Sequence, residues 1–275
     1  MSRLAGLFAA LKEQRRKALI PYVVAGDPSP SGTVSLLHRL VASGADVLEI
    51  GVPFSDPMAE GSVIQLGHER ALANGMTLRG VLEIVSEFRR DNAETPVVMM
   101  GYANPIERFG YRDFAKASAA AGVDGLITVD LPPEEVGRFD EALLEVSIDN
   151  ILLISPTTSI DRIKTIIARA RGFIYCVAVK GVTGSGQLDV DDVAQRLSVI
   201  RSLTDLPLAV GFGIKDADSA KRVAVVADAV VVGSALIDEM VRCSQSQVGL
   251  EEIQIHEAAV QLLERIRAGV DSSHS

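Results

Sequence analysis

The chain has 275 residues, of which 48% are hydrophobic and 23% charged, a balance that excludes an intrinsically disordered protein. Its 27 Lys and Arg residues against 36 Asp and Glu residues give a formal net charge of −9 at pH 7, which argues against nucleic-acid and anionic-membrane partners. The sequence contains no apolar run of about 20 residues and so predicts no transmembrane helix.

The first predicted element is an amphipathic helix over about residues 2–17, with Leu4, Leu7, Phe8 and Leu11 on one face. Eight short apolar runs follow, and we predict them to be β-strands: 19–25, 47–50, 97–101, 125–129, 151–154, 173–177, 208–210 and 229–232. Amphipathic segments lie between and after them, and we predict these to be helices: 33–43, 62–73, 77–91, 111–121, 134–146, 160–170, 190–203, 216–226 and 250–267.

This alternation of strand and helix predicts a parallel sheet, and eight units fit a closed (β/α)8 TIM barrel. An open doubly wound sheet is the alternative, which we favour less because no dinucleotide-binding fingerprint follows a strand. No long linker rich in Pro, Gly or Ser divides the chain. We therefore predict a single domain over residues 1–275, with a frayed tail over about 270–275.

Cysteine and histidine limit the chemistry that the chain can perform. Two cysteines, Cys176 and Cys243, cannot form a disulfide framework, so we expect a reducing, cytoplasmic setting. The chain has only four histidines: His38, His68, His256 and His274. Because none stands at metal-ligand spacing from another, the sequence predicts no metal site. We expect catalysis to depend on carboxylates, tyrosines and backbone amides.

Glu49 is the strongest catalytic candidate, because it lies in the second predicted strand. Side chains alternate along a strand, so Glu49 should share the inner face of the barrel with Val47, whereas Leu48 and Ile50 should face the helices. Apolar neighbours disfavour a buried charge and raise a carboxyl pKa, which suits proton transfer near neutrality. The alternative is a structural glutamate paired with Lys or Arg.

The loop over residues 51–61 offers a second carboxylate at Glu60. Its length after a barrel strand favours a functional loop, and Pro53 and Pro57 stiffen it. Two carboxylates in different surroundings can hold acid and base roles at the same time. A solvated loop acid is the alternative for Glu60.

Glycine-rich turns follow the last three strands, over residues 181–186, 211–213 and 232–235. Glycine lets the backbone approach an anion, and a helix that begins after Ser234 would present free N–H groups. Barrels often bind phosphate after strands seven and eight, so we predict a phosphate site at this rim. Each turn could instead merely reverse the chain.

Aromatic residues fall near the ends of several strands, although they form only 4% of the chain. Tyr22, Tyr102, Tyr175 and Phe212 could together form an apolar wall for a flat organic group. Filling of the core is the alternative for each of them. A ligand with a phosphate at one end and an aromatic group at the other would fit such a rim.

Several motifs resemble the tryptophan synthase alpha chain family. The most specific is the run Leu-Glu-Ile-Gly-Val-Pro-Phe-Ser-Asp-Pro over residues 48–57, followed by Ala59, Gly61 and the pair Ile64-Gln65. Four shorter motifs agree with it, over residues 100–105, 129–132, 181–184 and 210–214. The resemblance extends over about residues 4–268, nearly the whole chain.

This resemblance implies a lyase of tryptophan biosynthesis that cleaves indole-3-glycerol phosphate to indole and glyceraldehyde 3-phosphate by a retro-aldol reaction. It implies that Glu49 is the general acid and base and that Glu60 stabilises the positive charge on the indole nitrogen. No cofactor is implied for this chain. The implied partner is a beta chain that carries pyridoxal phosphate, in an alpha2beta2 tetramer.

The resemblance also assigns binding residues. Those implied to contact the substrate are Tyr22, Ile64, Met100, Tyr102, Tyr175, Thr183 and Phe212. Those implied to hold its phosphate are Gly184, Gly213, Gly233 and Ser234. Those implied to dock the beta chain are Pro53, Asp56 and Asn104.

The sequence departs from the family pattern in three places. Glu60 stands where Asp is commonest, Ser62 where Pro is usual, and residues 178–180 are less polar than expected. These departures keep open a subunit that mainly activates its beta partner. A phosphosugar isomerase on the same barrel is a further alternative, because it would share the phosphate site but need no indole pocket.

Overall fold

The computed structural model of the protein describes residues 2–178, 190–211, 213–246 and 251–274. The described residues form eight strands: β1 (Ala18–Val24), β2 (Leu48–Gly51), β3 (Val97–Gly101), β4 (Gly125–Thr128), β5 (Asp149–Ile154), β6 (Ile174–Val177), β7 (Leu208–Gly211) and β8 (Ala229–Val232). Each strand pairs in parallel with the next, and β1 also pairs with β8, so the sheet closes into a barrel. The predicted TIM barrel is confirmed, and the open-sheet alternative is wrong.

Helices cover the outside of the barrel. Within the described ranges they are α1 (Arg3–Glu13), α2 (Thr33–Ala42), α3 (Ser62–Ala73), α4 (Leu78–Asp91), α5 (Ala103–Phe109), α6 (Tyr111–Ala121), α7 (Gly137–Glu145), α8 (Ile160–Ile167), α9 (Val190–Arg201), α10 (Ala217–Val226), α11 (Ser234–Ser246) and α12 (Glu252–Asp271). In that part of the chain, no helix combines the length and the apolar character needed to cross a membrane.

The sequence predicts neither helix α5 nor the full length of helix α11. The short helix α5 has only seven residues and meets α6 at Gly110, whose φ of +95° breaks the helical path. For α11 only its start near Ser234 is predicted. The tail that we predict to be frayed is helical to Asp271 and then forms a 3-10 turn over Ser272–His274. Val270, near the end of α12, is fully buried and anchors this segment.

The two faces of the strands form two apolar clusters, as the alternation of side chains predicts. Leu48 and Ile50 pack outward against the helices, whereas Val47 points into the barrel. At the N-terminal ends of the strands, α1 closes the barrel and its Phe8 ring lies 5.8 Å from that of Phe173. The opposite mouth, at the C-terminal ends, is the end where TIM barrels bind their ligands.

Buried and half-buried carboxylates join neighbouring strands at the closed end. Asp46 accepts the Leu19 N–H and Asp228 accepts the Leu208 N–H, each at 2.9 Å. Asp124 accepts the Val97 N–H at 2.8 Å. These hydrogen bonds at the N-terminal ends of the strands serve stability, because the chemistry of a TIM barrel takes place at the other end.

We expect Asp124→Ala to destabilise the barrel strongly. Asp124 also receives Arg3 at 2.8 Å and Arg89 at 2.7 Å, and the Asp124 side chain is only 5% exposed. Removing one partner of a buried ion pair costs about 3–5 kcal/mol, because the guanidinium groups lose their counter-charge. Urea unfolding measures this loss. Glu83→Ala, at an exposed carboxylate in the middle of α4, is the control and should change the unfolding free energy by less than about 0.5 kcal/mol.

Candidate active site

Glu49 lies on the inner face of β2, at the mouth of the barrel, and only 1% of its surface is exposed. Within the described residues, neither of its carboxyl oxygens has a hydrogen-bond partner. Burial, reinforced by the negative charge of Glu60, raises the pKa of Glu49 to about 8. At neutral pH this side chain therefore holds a proton that it can donate, and its conjugate base can take one back.

Two buried tyrosines flank Glu49. Tyr22 stands beside it in the β1–β2 register, and Tyr175 reaches the same space from β6. A Cβ atom at Gly51 would overlap the Tyr22 hydroxyl, and one at Gly211 would overlap the Tyr175 hydroxyl. These glycines therefore make room for the rings. Burial and the nearby carboxylates raise the pKa of both tyrosines well above its ordinary value, so both stay neutral hydroxyls.

The Glu60 side chain is 4% exposed and faces the same cavity. Its Oε2 lies 2.7 Å from Nε2 of His68 and 3.4 Å from the Tyr22 hydroxyl. Nothing in the sequence pattern singles out His68 beyond its lack of a metal partner. Its place on the buried side of α3, with Gly67 and Ala71, brings it under the loop that carries Glu60.

Tyr102 holds this loop in place. Its ring stacks on Phe54 with centroids 5.1 Å apart, and its hydroxyl accepts the Ala59 N–H at 3.2 Å. Although we predict a substrate contact for Tyr102, it is not among the described residues that line the cavity. It packs behind the loop because its stacking partner, Phe54, belongs to that loop.

The cavity at the mouth has a volume of about 620 Å³, within the usual range for small-molecule sites. It brings together most of the described residues that we predict to bind or act on the substrate: Tyr22, Glu49, Glu60, Ile64, Met100, Tyr175, Gly213, Gly233 and Ser234. Other lining residues were not predicted to contact the substrate. Leu131 and Pro132 belong to the motif over residues 129–132, to which no contact was assigned. Pro133, Ser155 and Thr158 follow β4 and β5 in loops without a motif, and Arg162 lies on α8.

The part of the cavity that follows β7 and β8 presents main chain. Gly213 has a φ of +78°, a conformation that favours glycine, and it turns the backbone toward the cavity after β7. Ser234 begins α11, and the N–H groups of Leu236 and Ile237 both turn back to the Gly233 carbonyl. The N–H groups that precede them are those that a helix leaves for an anion.

The remaining predicted residues fall into two groups. Thr183, Gly184 and Phe212 lie outside the described residues. The three predicted docking residues lie outside the cavity: Pro53 is buried, whereas Asp56 and Asn104 are exposed. Among the described residues, no group of three or more His, Cys, Asp or Glu side chains is arranged to hold a metal ion.

A comparison with protein families identifies the chain. The family described as "Tryptophan synthase alpha chain" matches residues 8–266. The chain belongs to the tryptophan synthase alpha chain family. It is a carbon–carbon lyase of tryptophan biosynthesis that cleaves indole-3-glycerol phosphate by a retro-aldol reaction. A subunit that only activates its partner is not favoured.

Individual tryptophan synthase alpha chains agree with this assignment. The one from Alkalilimnicola ehrlichii is 57% identical over 240 residues, which cover 87% of this chain and 88% of that protein. The one from Marinobacter nauticus is 51% identical over 272 residues, 99% of each chain. The crystal structure of the alpha subunit from Legionella pneumophila strain Paris superposes with a TM-score of 0.91 at 43% identity and covers 99% of both chains.

Proposed function

We propose that Glu49 carries the proton in both halves of the cleavage. Protonated at neutral pH, it donates to C3 of the indole ring, which leaves the ring nitrogen positively charged. The resulting carboxylate takes the proton from the hydroxyl on the carbon attached to C3. The bond between these carbons then breaks, its electron pair returns to the ring, and an aldehyde forms.

The observation that carries this proposal is the isolation of the Glu49 carboxyl. A carboxyl with a pKa near 8 is neutral in the resting enzyme yet basic enough, once ionised, to remove a proton. Glu49 ends the cycle in the state in which it began, so the chemistry needs no electron acceptor. We therefore propose that this chain uses no cofactor and that pyridoxal phosphate is confined to the beta partner.

Glu60 is proposed to stabilise the charge on the indole nitrogen. Its carboxylate borders the cavity with Tyr22 and Glu49, in a buried setting where electrostatic interactions are strong. We place the phosphate on the backbone of Gly213, Gly233 and Ser234, in the part of the cavity that follows β7 and β8. This orientation sets the reacting carbon between the two ends, beside Glu49.

Glu60→Gln tests the electrostatic part of the proposal. The substitution keeps the volume and removes the charge, so we expect kcat for indole release to fall by about 10²–10³-fold with a smaller change in KM. Steady-state indole formation from indole-3-glycerol phosphate measures both constants. Glu69→Gln, at an exposed carboxylate two turns away on α3, is the matched control. An unchanged kcat in Glu60→Gln would show that the charge of Glu60 plays no part in the mechanism.

We propose that the partner is a beta chain, in an alpha2beta2 assembly, and that it docks on the mouth of the barrel. The proposed surface contains the exposed Asp56 and Asn104, with the buried Pro53 in the same loop as Asp56. Met58 follows Asp56 in the loop that carries Glu60 and is 81% exposed, which is unusual for a large apolar side chain. A partner at this surface would sit close to the loop that carries Glu60.

We also propose a reducing, cytoplasmic setting and a single domain over residues 1–275. Both cysteines are free, and burial raises the pKa of Cys176 to about 12, so this thiol is inert. The two ends of the chain support one domain. Helix α1 packs under the barrel, and Arg267 of α12 pairs with Asp46 at 2.9 Å.

A further inference from the structure

The hydrogen bonds of His68 define its tautomer. The ring is 1% exposed, and its Nδ1 accepts the N–H of Phe54 at 3.0 Å. An Nδ1 that accepts carries no proton, so a neutral imidazole must carry its proton on Nε2. Nε2 lies 2.7 Å from Oε2 of Glu60. The Phe54 amide therefore selects the tautomer in which His68 donates to the Glu60 carboxylate.

The Tyr22 hydroxyl completes a triangle with these two groups. It lies 3.2 Å from Nε2 of His68 and 3.4 Å from Oε2 of Glu60. Since the His68 proton is directed to the carboxylate, the Tyr22 hydroxyl is the second possible donor to the same oxygen. Both of these donors are directed to Oε2 of Glu60.

The helix that carries His68 is fixed to the barrel. Two residues further along α3, Arg70 makes a bidentate ion pair with Asp27, with N–O distances of 2.7 and 2.8 Å. Asp27 is 3% exposed and follows β1. The ring of His68 thus has a fixed position, whereas Glu60 belongs to a loop and has three rotatable side-chain bonds.

We propose that His68 is a positioning residue that holds the Glu60 carboxylate toward the indole nitrogen. The extra methylene of Glu60, compared with the Asp that the resemblance leads us to expect, adds one rotation to that side chain. A hydrogen bond from a rigid helix removes this freedom before the substrate binds. The proposal rests on the proposed function of Glu60 and adds a residue to it.

A purely structural role is the alternative, in which His68 only ties down the loop through the Phe54 amide. Two substitutions separate the roles. His68→Asn places a carbonyl oxygen near the position of Nδ1, so it keeps an acceptor for Phe54 and loses the donor to Glu60. His68→Gln places an N–H donor near the position of Nε2 and loses the acceptor.

We expect His68→Asn to lower kcat for indole release by about 10–10²-fold, because displacing a catalytic group by about 1 Å can lower the rate by about 10²-fold. KM should change by less than about threefold. We expect His68→Gln to restore kcat to within about fivefold of wild type, because it restores the donor to Glu60. The reverse order of the two variants would overturn the proposal. Thermal unfolding followed by circular dichroism checks that both variants are folded.

A double-mutant cycle with Glu60→Ala separates an effect that passes through Glu60 from general damage to the structure of the protein. Once the carboxylate is gone, His68→Asn should cause no further loss of kcat, because its only effect passes through Glu60. Independent, multiplicative losses would overturn the proposal. Indole release by the wild type tests the proposed function separately. If the wild type and His68→Asn are equally active, the role of His68 is rejected and the proposed function stands.

Discussion

Glu49→Gln should abolish indole release while leaving the barrel folded. Gln has nearly the shape of the protonated carboxyl, but it can neither donate the proton to the ring nor accept one from the hydroxyl. Proton transfer by a positioned group contributes about 10²–10⁴-fold, and Glu49 is proposed to act twice, so we expect the upper part of that range. KM should change little, since the aromatic and phosphate contacts remain. Steady-state indole formation measures both constants.

The same substitution should stabilise the protein, increasingly so at higher pH. The pKa of Glu49 is about 8 in the folded chain against 4.5 for an ordinary Glu. Between these values the unfolded chain loses this proton and the folded chain keeps it. Stability from this group is therefore full below about pH 4.5 and falls as pH rises toward 8, by roughly 1.4 kcal/mol per pH unit.

Gln does not titrate, so the variant escapes this loss. Urea unfolding at about pH 5 and about pH 8 should show a gain for Glu49→Gln that grows to a few kcal/mol at the higher pH. Groups remote from Glu49 titrate equally in both proteins and cancel in the difference. Glu69→Gln, at an exposed glutamate on α3, is measured as the control for the substitution itself. A gain that is the same at both pH values would mean that Glu49 is ionised in the folded protein at neutrality.

The inward direction of Glu49 could be predicted from sequence because the repeat of two along a strand leaves only two faces. Once Leu48 and Ile50 are assigned to the helices, Glu49 and Val47 have to face the barrel. The order of strands in the barrel follows from alternation for a similar reason. Parallel neighbours need crossover helices, and eight regular units close without an edge.

The contacts of Glu60 could not be predicted in this way. Glu60 and His68 are separated by a loop end and two turns of helix, and no periodic pattern relates a loop carboxylate to a buried helix face. Tyr102 shows the opposite difficulty. A tyrosine just after a strand suggests the cavity, but the stacking partner that draws it behind the loop is Phe54, which is distant in sequence.

Ser234→Asp should prevent binding of the phosphate without weakening the fold. Ser234 begins α11, where a carboxylate is favourable for the helix because it faces the positive end of the helix dipole. The same carboxylate would repel the substrate phosphate, and two like charges about 4 Å apart near a protein surface cost about 4 kcal/mol. We expect KM for indole-3-glycerol phosphate to rise by at least about 10²-fold and kcat to change less.

Ser244→Asp provides the matched control, because it adds the same charge to the same helix near its other end, where Ser244 is exposed. Its KM should stay within about twofold of wild type, because a single exposed charge many ångströms away is screened by salt. Glycerol phosphate extends the test, since it carries the anion without the ring and should lose inhibition only in Ser234→Asp. If both variants keep the wild-type KM, the phosphate does not bind at the start of α11, and the substrate must lie in the cavity in another orientation, with its ring no longer beside Glu60.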